Sequence, residues 1–229
     1  MNSKPGPITG SWLLTPMVHA DSRGQFVESF QKDVFAEQTG LSIDFIQDNE
    51  VVSHQGVVRG LHLQNDPHGQ AKLIRVVQGR IYDVAVDLRA NSSSYGEWFG
   101  VELSADNQTQ LFLPKGFAHG YSVLSERAIV QYKVDSAYNP KAESGIRFDD
   151  PNLGIDWQVD SPKLSDKDLK LPFLKDLNQK TILFRSPAVP DPARASKPLL
   201  FLKILIKKRY FSDPRPSPIR PEPQNRYFS

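Results

Sequence analysis

Between residues 25 and 134, apolar and polar side chains alternate in short runs, each closed by a cluster of Gly, Asn, Asp or Ser. A helix brings every third or fourth residue to one face and a strand every second, so this alternation commits the chain to strands. The clearest run spans residues 80–89: Tyr82, Val84, Val86 and Leu88 share one face, and Ile81, Asp83, Ala85 and Asp87 the other. The same pattern predicts strands at residues 25–30, 43–52, 72–78, 98–103, 108–113, 116–124 and 128–134. One short helix is predicted at residues 32–38, stopped by Gly40. Many short strands at regular spacing read as an all-β barrel or sandwich.

Composition narrows what such a fold can do. The chain has no cysteine, which excludes a disulfide framework, a thiolate zinc site and a cysteine nucleophile. Its first residues, MNSKPGPITGSW, lack the apolar segment of a secretion signal, and no run approaches the ~18 apolar residues of a spanning helix, so a soluble cytoplasmic protein is expected. The net charge of +2 hides an uneven distribution. Residues 1–179 carry 17 Lys+Arg against 23 Asp+Glu, a net of −6, whereas residues 180–229 carry 11 against 3, a net of +8, with 9 of the 18 prolines and none of the 14 glycines. An acidic folded domain, 1–179, followed by a basic proline-rich tail, 180–229, is therefore expected. The tail's apolar run at 199–206, beside Lys207, Lys208 and Arg209, is too short to cross a bilayer. A disordered tail with at most weak binding to an anionic surface is the expectation, and no nucleic-acid partner is expected.

The segment Leu113-Pro114-Lys115-Gly116-Phe117-Ala118-His119 turns through Pro and Gly and presents an imidazole at the start of a strand. It resembles the second half of the cupin signature, P-x-G-x-x-H. The first half should supply a histidine pair for a metal, yet the chain reads Gly60-Leu61-His62-Leu63-Gln64, with one histidine. A three-ligand site cannot be assembled locally from one His per strand, so a metal-free cupin jelly-roll barrel with a few short helices is expected.

Three residues stand out as carriers of proton chemistry. His62 lies in a polar stretch, with Gln64 on its face and Arg59 three residues earlier. In a regular strand Arg59 would point away from His62, so either Gly60 marks a bulge or Arg59 works at the cavity mouth. Tyr132 belongs to the apolar face Ala128, Val130, Tyr132, Val134, where a buried phenol needs a partner. Lys72 shares a face with Ile74, Val76 and Gln78, and an inward lysine is rarely structural without a counter-charge. An inward base, phenol and ammonium together point to proton transfer. Asp83 and Asp87 also share a strand face, and neighbours such as Arg75 or Arg89 are their expected partners.

From about residue 10 to 177 the chain resembles the dTDP-4-dehydrorhamnose 3,5-epimerase family. The resemblance rests on Arg23-Gly24-Gln25-Phe26 with Glu28, Gln47-Asp48-Asn49, residues 59–64, Gln70-Ala71-Lys72-Leu73, residues 82–89, residues 114–120, Tyr132, residues 150–157 and residues 164–168. Phe148 and Gln158 depart from it, standing where the family usually has Trp and Pro.

The resemblance implies that His62 is the general base oriented by Asp168, that Tyr132 is the acid on the opposite face of the sugar, and that Lys72 holds charge developing on the C4 oxygen. It implies Arg23 and Arg59 for the diphosphate and Tyr138 for stacking on thymine. Phe26, Glu28, Gln47, Asn49, Glu143 and Lys167 are implied as further substrate-binding positions, and His119 as a sugar contact or a turn-stabilising residue. The implied reaction is C3 and C5 epimerisation of dTDP-4-dehydro-6-deoxy-D-glucose to dTDP-4-dehydro-L-rhamnose, in dTDP-L-rhamnose biosynthesis, without cofactor. The alternatives are an epimerase acting at C3 or C5 only on a related nucleotide 4-keto sugar, and a catalytically silent cupin that binds a sugar nucleotide. The resemblance also implies a homodimer, and the sequence is compatible with one, since a strand at residues 10–14 could pair with the partner's sheet edge.

Overall fold

The computed structural model describes residues 1–177. In chain order its elements are β1 (Asn2–Pro5), β2 (Trp12–Thr15), β3 (Val18–Asp21), β4 (Gly24–Val27), α1 (Lys32–Thr39), β5 (Gln47–His54), β6 (Val58–Gln64), β7 (Lys72–Gln78), β8 (Arg80–Asp87), β9 (Trp98–Ser104), β10 (Gln110–Leu113), β11 (Phe117–Val123), β12 (Arg127–Val134) and β13 (Glu143–Gly145). Two 3₁₀ turns, Asp168–Lys170 and Leu174–Asp176, follow. The strands form a six-stranded sheet, β1-β2-β10-β7-β12-β5, and a five-stranded sheet, β13-β6-β11-β8-β9, while β3 and β4 pair only with each other. This is an all-β jelly roll of two sheets packed face to face.

The inward rows are those that the alternation defines. Ile74, Val76, Ile81, Ala85, Leu103, Leu111, Val123, Ala128 and Val130 are buried between the sheets. Elsewhere between the sheets, around His62, Lys72, His119 and Tyr132, the inward positions turn polar and a cavity opens. Both outer faces are partly covered. Helix α1, capped by the Gln31 side chain on Val34 N at 2.8 Å and ended by Gly40 at φ 72°, lays Phe35 against Phe112 and Leu73 on the six-stranded sheet. Segment 146–177 covers the other sheet, where Val84, Val86 and Leu88 meet Ile146, Leu153 and Trp157. Strand β8 is thus buried on both faces, which its alternating apolar and acidic residues do not suggest.

Several boundaries differ from the sequence expectation. Residues 43–46 are not a strand, because Ile43 and Phe45 are used to pack beside α1. The predicted strand 25–30 is shortened to one arm of the exposed β3–β4 hairpin. The N-terminal strand is not free for a partner: Trp12–Thr15 pairs with β1 on one side and β10 on the other, leaving β1 at the sheet edge. The boundary at residue 179 and the character of the tail lie outside the described residues.

Candidate active site

Strand β6 has a bulge where it meets β11. His62 pairs with His119 and Arg59 with Tyr121, so three steps on β6 oppose two on β11. Gly60 supplies the extra residue at φ 121°, and a Cβ there would come within 2.5 Å of Gly120 Cα. Only glycine fits between the two backbones. The bulge puts Arg59 and His62, normally on opposite faces, on one cavity wall. Of the two readings of Arg59, the bulge at Gly60 is present, and Arg59, an exposed residue that lines the cavity, donates its Nε–H to Ser53 Oγ at 3.0 Å.

The cavity has a volume of about 390 Å³, in the range of a small-molecule site. His62 and His119 enter it from the five-stranded sheet, Lys72 and Tyr132 from the six-stranded sheet. Asp168, on a 3₁₀ turn 106 residues after His62, meets His62 Nε2 at 2.7 Å. Burial alone would raise the Asp168 carboxyl, but the His62 hydrogen bond and charge, with Ser165 and the Gly60 backbone, hold it below the usual range. An ionised Asp168 makes Nε2 the protonated nitrogen and leaves Nδ1 as the basic lone pair. No hydrogen-bond partner for Nδ1 is present among the described residues. The second histidine is also paired, with His119 Nε2 2.9 Å from both oxygens of Asp83. Asp83 therefore takes His119, not Arg75, as its partner; Asp87 pairs with Arg89, Nε to Oδ1 2.8 Å and a terminal nitrogen to Oδ2 2.7 Å. Burial pushes the Asp83 carboxyl up against the pull of His119.

Lys72 is buried and makes no ion pair among the described residues; burial lowers it to about 8, opposed weakly by Asp135. Burial raises the Tyr132 phenol, with Arg59 opposing and Glu143 reinforcing, so the group keeps its proton at neutral pH. At the rim, Tyr138 Oη and Lys167 Nζ both donate to Glu143 Oε2 at 2.5 Å, leaving the Tyr138 ring 55% exposed. Burial would raise Glu143, but the hydrogen bonds from Lys167 and Tyr138 bring it below its ordinary value. Gln47 Nε2 donates to Asn49 Oδ1 at 2.8 Å beside the same cavity.

The structure thus brings His62, Asp168, Tyr132, Lys72, His119, Arg59, Gln47, Asn49, Tyr138, Glu143 and Lys167 together. It leaves three expected residues away from this cavity. Arg23 is held by Asp21, and Phe26 (67% exposed) and Glu28 lie on or just after the exposed hairpin. Sequence reasoning passed over Tyr121, which lines the cavity two residues after His119 on the same face of β11, a period-two signal that was available. It also passed over what Gln64 does: its amide donates to the carbonyls of His68 and Ala137 and accepts from Asn139 N, pinning the loop that carries Tyr138.

A jelly roll whose facing sheets hold a carboxylate-paired imidazole, a protonated phenol and a buried amine around one cavity defines a class of protein, an acid–base isomerase acting beside a carbonyl. The family model for dTDP-4-dehydrorhamnose 3,5-epimerase matches residues 5–176, and the chain belongs to that isomerase family. It is 49% identical over 164 residues to the dTDP-4-dehydrorhamnose 3,5-epimerase of Methanothermobacter thermautotrophicus, covering 70% of this chain and 88% of the relative. The crystal structure of a 3,5-epimerase from Legionella pneumophila in complex with dTDP-4-keto-L-rhamnose is similar at a TM-score of 0.78 and 39% identity, covering 81% of this chain and 99% of that one. A dTDP-4-dehydrorhamnose 3-epimerase of Streptomyces niveus is 37% identical over 201 residues, covering 86% and 97%.

Proposed function

We propose that the chain epimerises dTDP-4-dehydro-6-deoxy-D-glucose at C3 and C5 to dTDP-4-dehydro-L-rhamnose. The observation that carries this reading is the placement of the ionised Asp168–His62 pair and of Tyr132 on opposite sheets across one cavity. A 4-keto group acidifies the C–H bonds at C3 and C5. His62 removes one proton, the C–H pair becomes a double bond to C4 as the carbonyl π pair moves onto the C4 oxygen, giving an enolate, and Tyr132 returns a proton to the other face of the carbon. Solvent then takes the proton from His62 and returns one to Tyr132, which restores both groups for the next turnover. Each centre loses one proton and gains one, so the balance needs no redox cofactor. Lys72 stabilises the enolate oxygen as a preorganised cation, and the pair His119–Asp83 adds a donor beside it.

The nucleotide half falls to the rim. Arg59 binds the diphosphate, and Tyr138, braced by Glu143 and Lys167, offers its exposed ring to the thymine. Arg23, Phe26 and Glu28 complete the site when two copies form a homodimer and the hairpin of one reaches the cavity of the other. A monomer by light scattering at micromolar concentration would remove that part. The folded domain ends near residue 179 in a cytoplasmic protein, and truncation after Leu177, which still packs on the covered sheet, leaves kcat/KM unchanged.

Running the enzyme in deuterated water tests the reaction. Label at both C3 and C5 of the product is the expected result. Label at C3 alone makes the chain a single-centre enzyme like its 3-epimerase relative. No label, with dTDP-sugar binding intact, makes it a silent binding protein.

A further inference from the structure

The loop that carries Tyr138 is fastened on either side of the ring to one short segment of chain. Asp135 Oδ1 accepts the backbone N–H of Ala71 at 2.8 Å, and the Ser136 carbonyl accepts Gln70 Nε2 at 2.7 Å. Gln64 holds the next two points. Its Nε2 donates to the carbonyls of Ala137 at 3.1 Å and His68 at 2.8 Å, and its Oε1 accepts the N–H of Asn139. Two carbonyls and one N–H around the amide fix which way it faces and use both of its donors. Tyr138 stands between the two residues so held, its ring 55% exposed and its hydroxyl on Glu143. Gln64 itself is 3% exposed and ends β6, two residues after His62 on the wall of the same cavity. Glu143 is its register partner on β13. The peptides flanking Tyr138 and the brace on its hydroxyl are therefore all referred to the strand that carries the base.

We propose that Gln64 is a positioning residue for nucleotide recognition: its amide sets the ring of Tyr138 at a fixed place relative to His62, so that a pyrimidine stacked on that ring binds with its sugar over the imidazole. The clamp is already made in the free protein, so the ligand loses little affinity to ordering the loop. Gln64 touches no reacting atom in this role. It acts through Tyr138 on the nucleoside and leaves the diphosphate to Arg59. The proposal rests on the sugar-nucleotide reading of the site.

The test compares a probe that reaches the ring with one that does not, dTDP and inorganic pyrophosphate, each titrated by calorimetry on the full chain with steady-state kinetics alongside. Q64M keeps the length of the side chain and removes the amide. It should weaken dTDP about tenfold and pyrophosphate by less than about twofold, with the kinetic loss in KM and with kcat within about threefold of the wild type. In a Y138A background there is no ring to place, and adding Q64M should change dTDP affinity by less than about twofold. Q64E, which keeps the acceptor for Asn139 N–H and loses both donors, is read in the same way if Q64M does not fold. The proposal is overturned by wild-type dTDP affinity in the Gln64 variant, by equal losses of dTDP and pyrophosphate, or by the same loss of dTDP with and without Tyr138. Wild-type dTDP affinity in Y138A would instead remove the stacking role of Tyr138, and failure of the wild-type chain to bind dTDP would remove the reading of the site.

Discussion

The cavity holds two histidine–aspartate pairs that share a rung of the same sheet, His62 opposite His119, and they are built differently. The His62 side chain is 33% exposed and its Asp168 comes from a distant turn. His119 is enclosed, and its Asp83 sits on the adjacent strand with no exposure at all. In the first pair the carboxylate keeps its charge, which orients the imidazole and fixes its tautomer. In the second, burial raises the Asp83 carboxyl against the pull of His119, and the enclosed pair holds the imidazole in place. The same two residue types therefore make a base where solvent and charge remain, and a scaffold where they do not.

The sharpest way to break this contrast is His62→Asn, which should lower kcat/KM by at least about 10³-fold and abolish deuterium exchange at both carbons. Binding of dTDP should survive within a few-fold; persistence of exchange would move the base elsewhere. Asp168→Asn keeps the shape and removes the charge, so a loss of about 10²-fold is expected, with the melting temperature little changed. An effect no larger than that of the same change at Asp83 would erase the distinction between the pairs.

Lys72 supplies a pH test of intermediate size. Its lowered value of about 8 means that the folded enzyme loses this cation before the unfolded chain does. On the alkaline side kcat/KM should fall with an apparent pKa near 8, and Lys72→Met should remove that limb along with most activity. Between about pH 8 and the ordinary lysine value of 10.5 the unfolded state binds more protons than the folded one, so this group makes stability rise with pH across that window. A kcat/KM profile flat to pH 9.5 would detach Lys72 from the enolate. The smallest effect is expected from Asp83→Asn, a few-fold in kcat/KM, because an amide replaces a carboxyl already pushed towards neutrality.

The alternation located most strands because each inward row contributes both to the core and to the cavity. His62, Tyr132 and Lys72 were legible as candidates for the same reason: each is a polar interruption of such a row. Strand β6 was less visible, since Gly60 breaks its period and the bulge there is a response to Gly120 on a neighbouring strand. Tyr121 could have been read from its spacing to His119. Asp168 carries no local signal, and only the family resemblance had assigned it to His62.

Taken alone, the order of residues determined the strand class, the inward rows, the helix stop at Gly40 and the groups that could carry protons, because these depend on periods of a few residues. Tertiary structure alone decided which carboxylate meets which histidine, that β8 is covered on both faces, and that Arg59 and His62 line one wall. Those outcomes depend on contacts between segments tens to a hundred residues apart, such as Asp168 with His62 and Gly60 with Gly120. No local period encodes them; they follow from how two sheets close over one another.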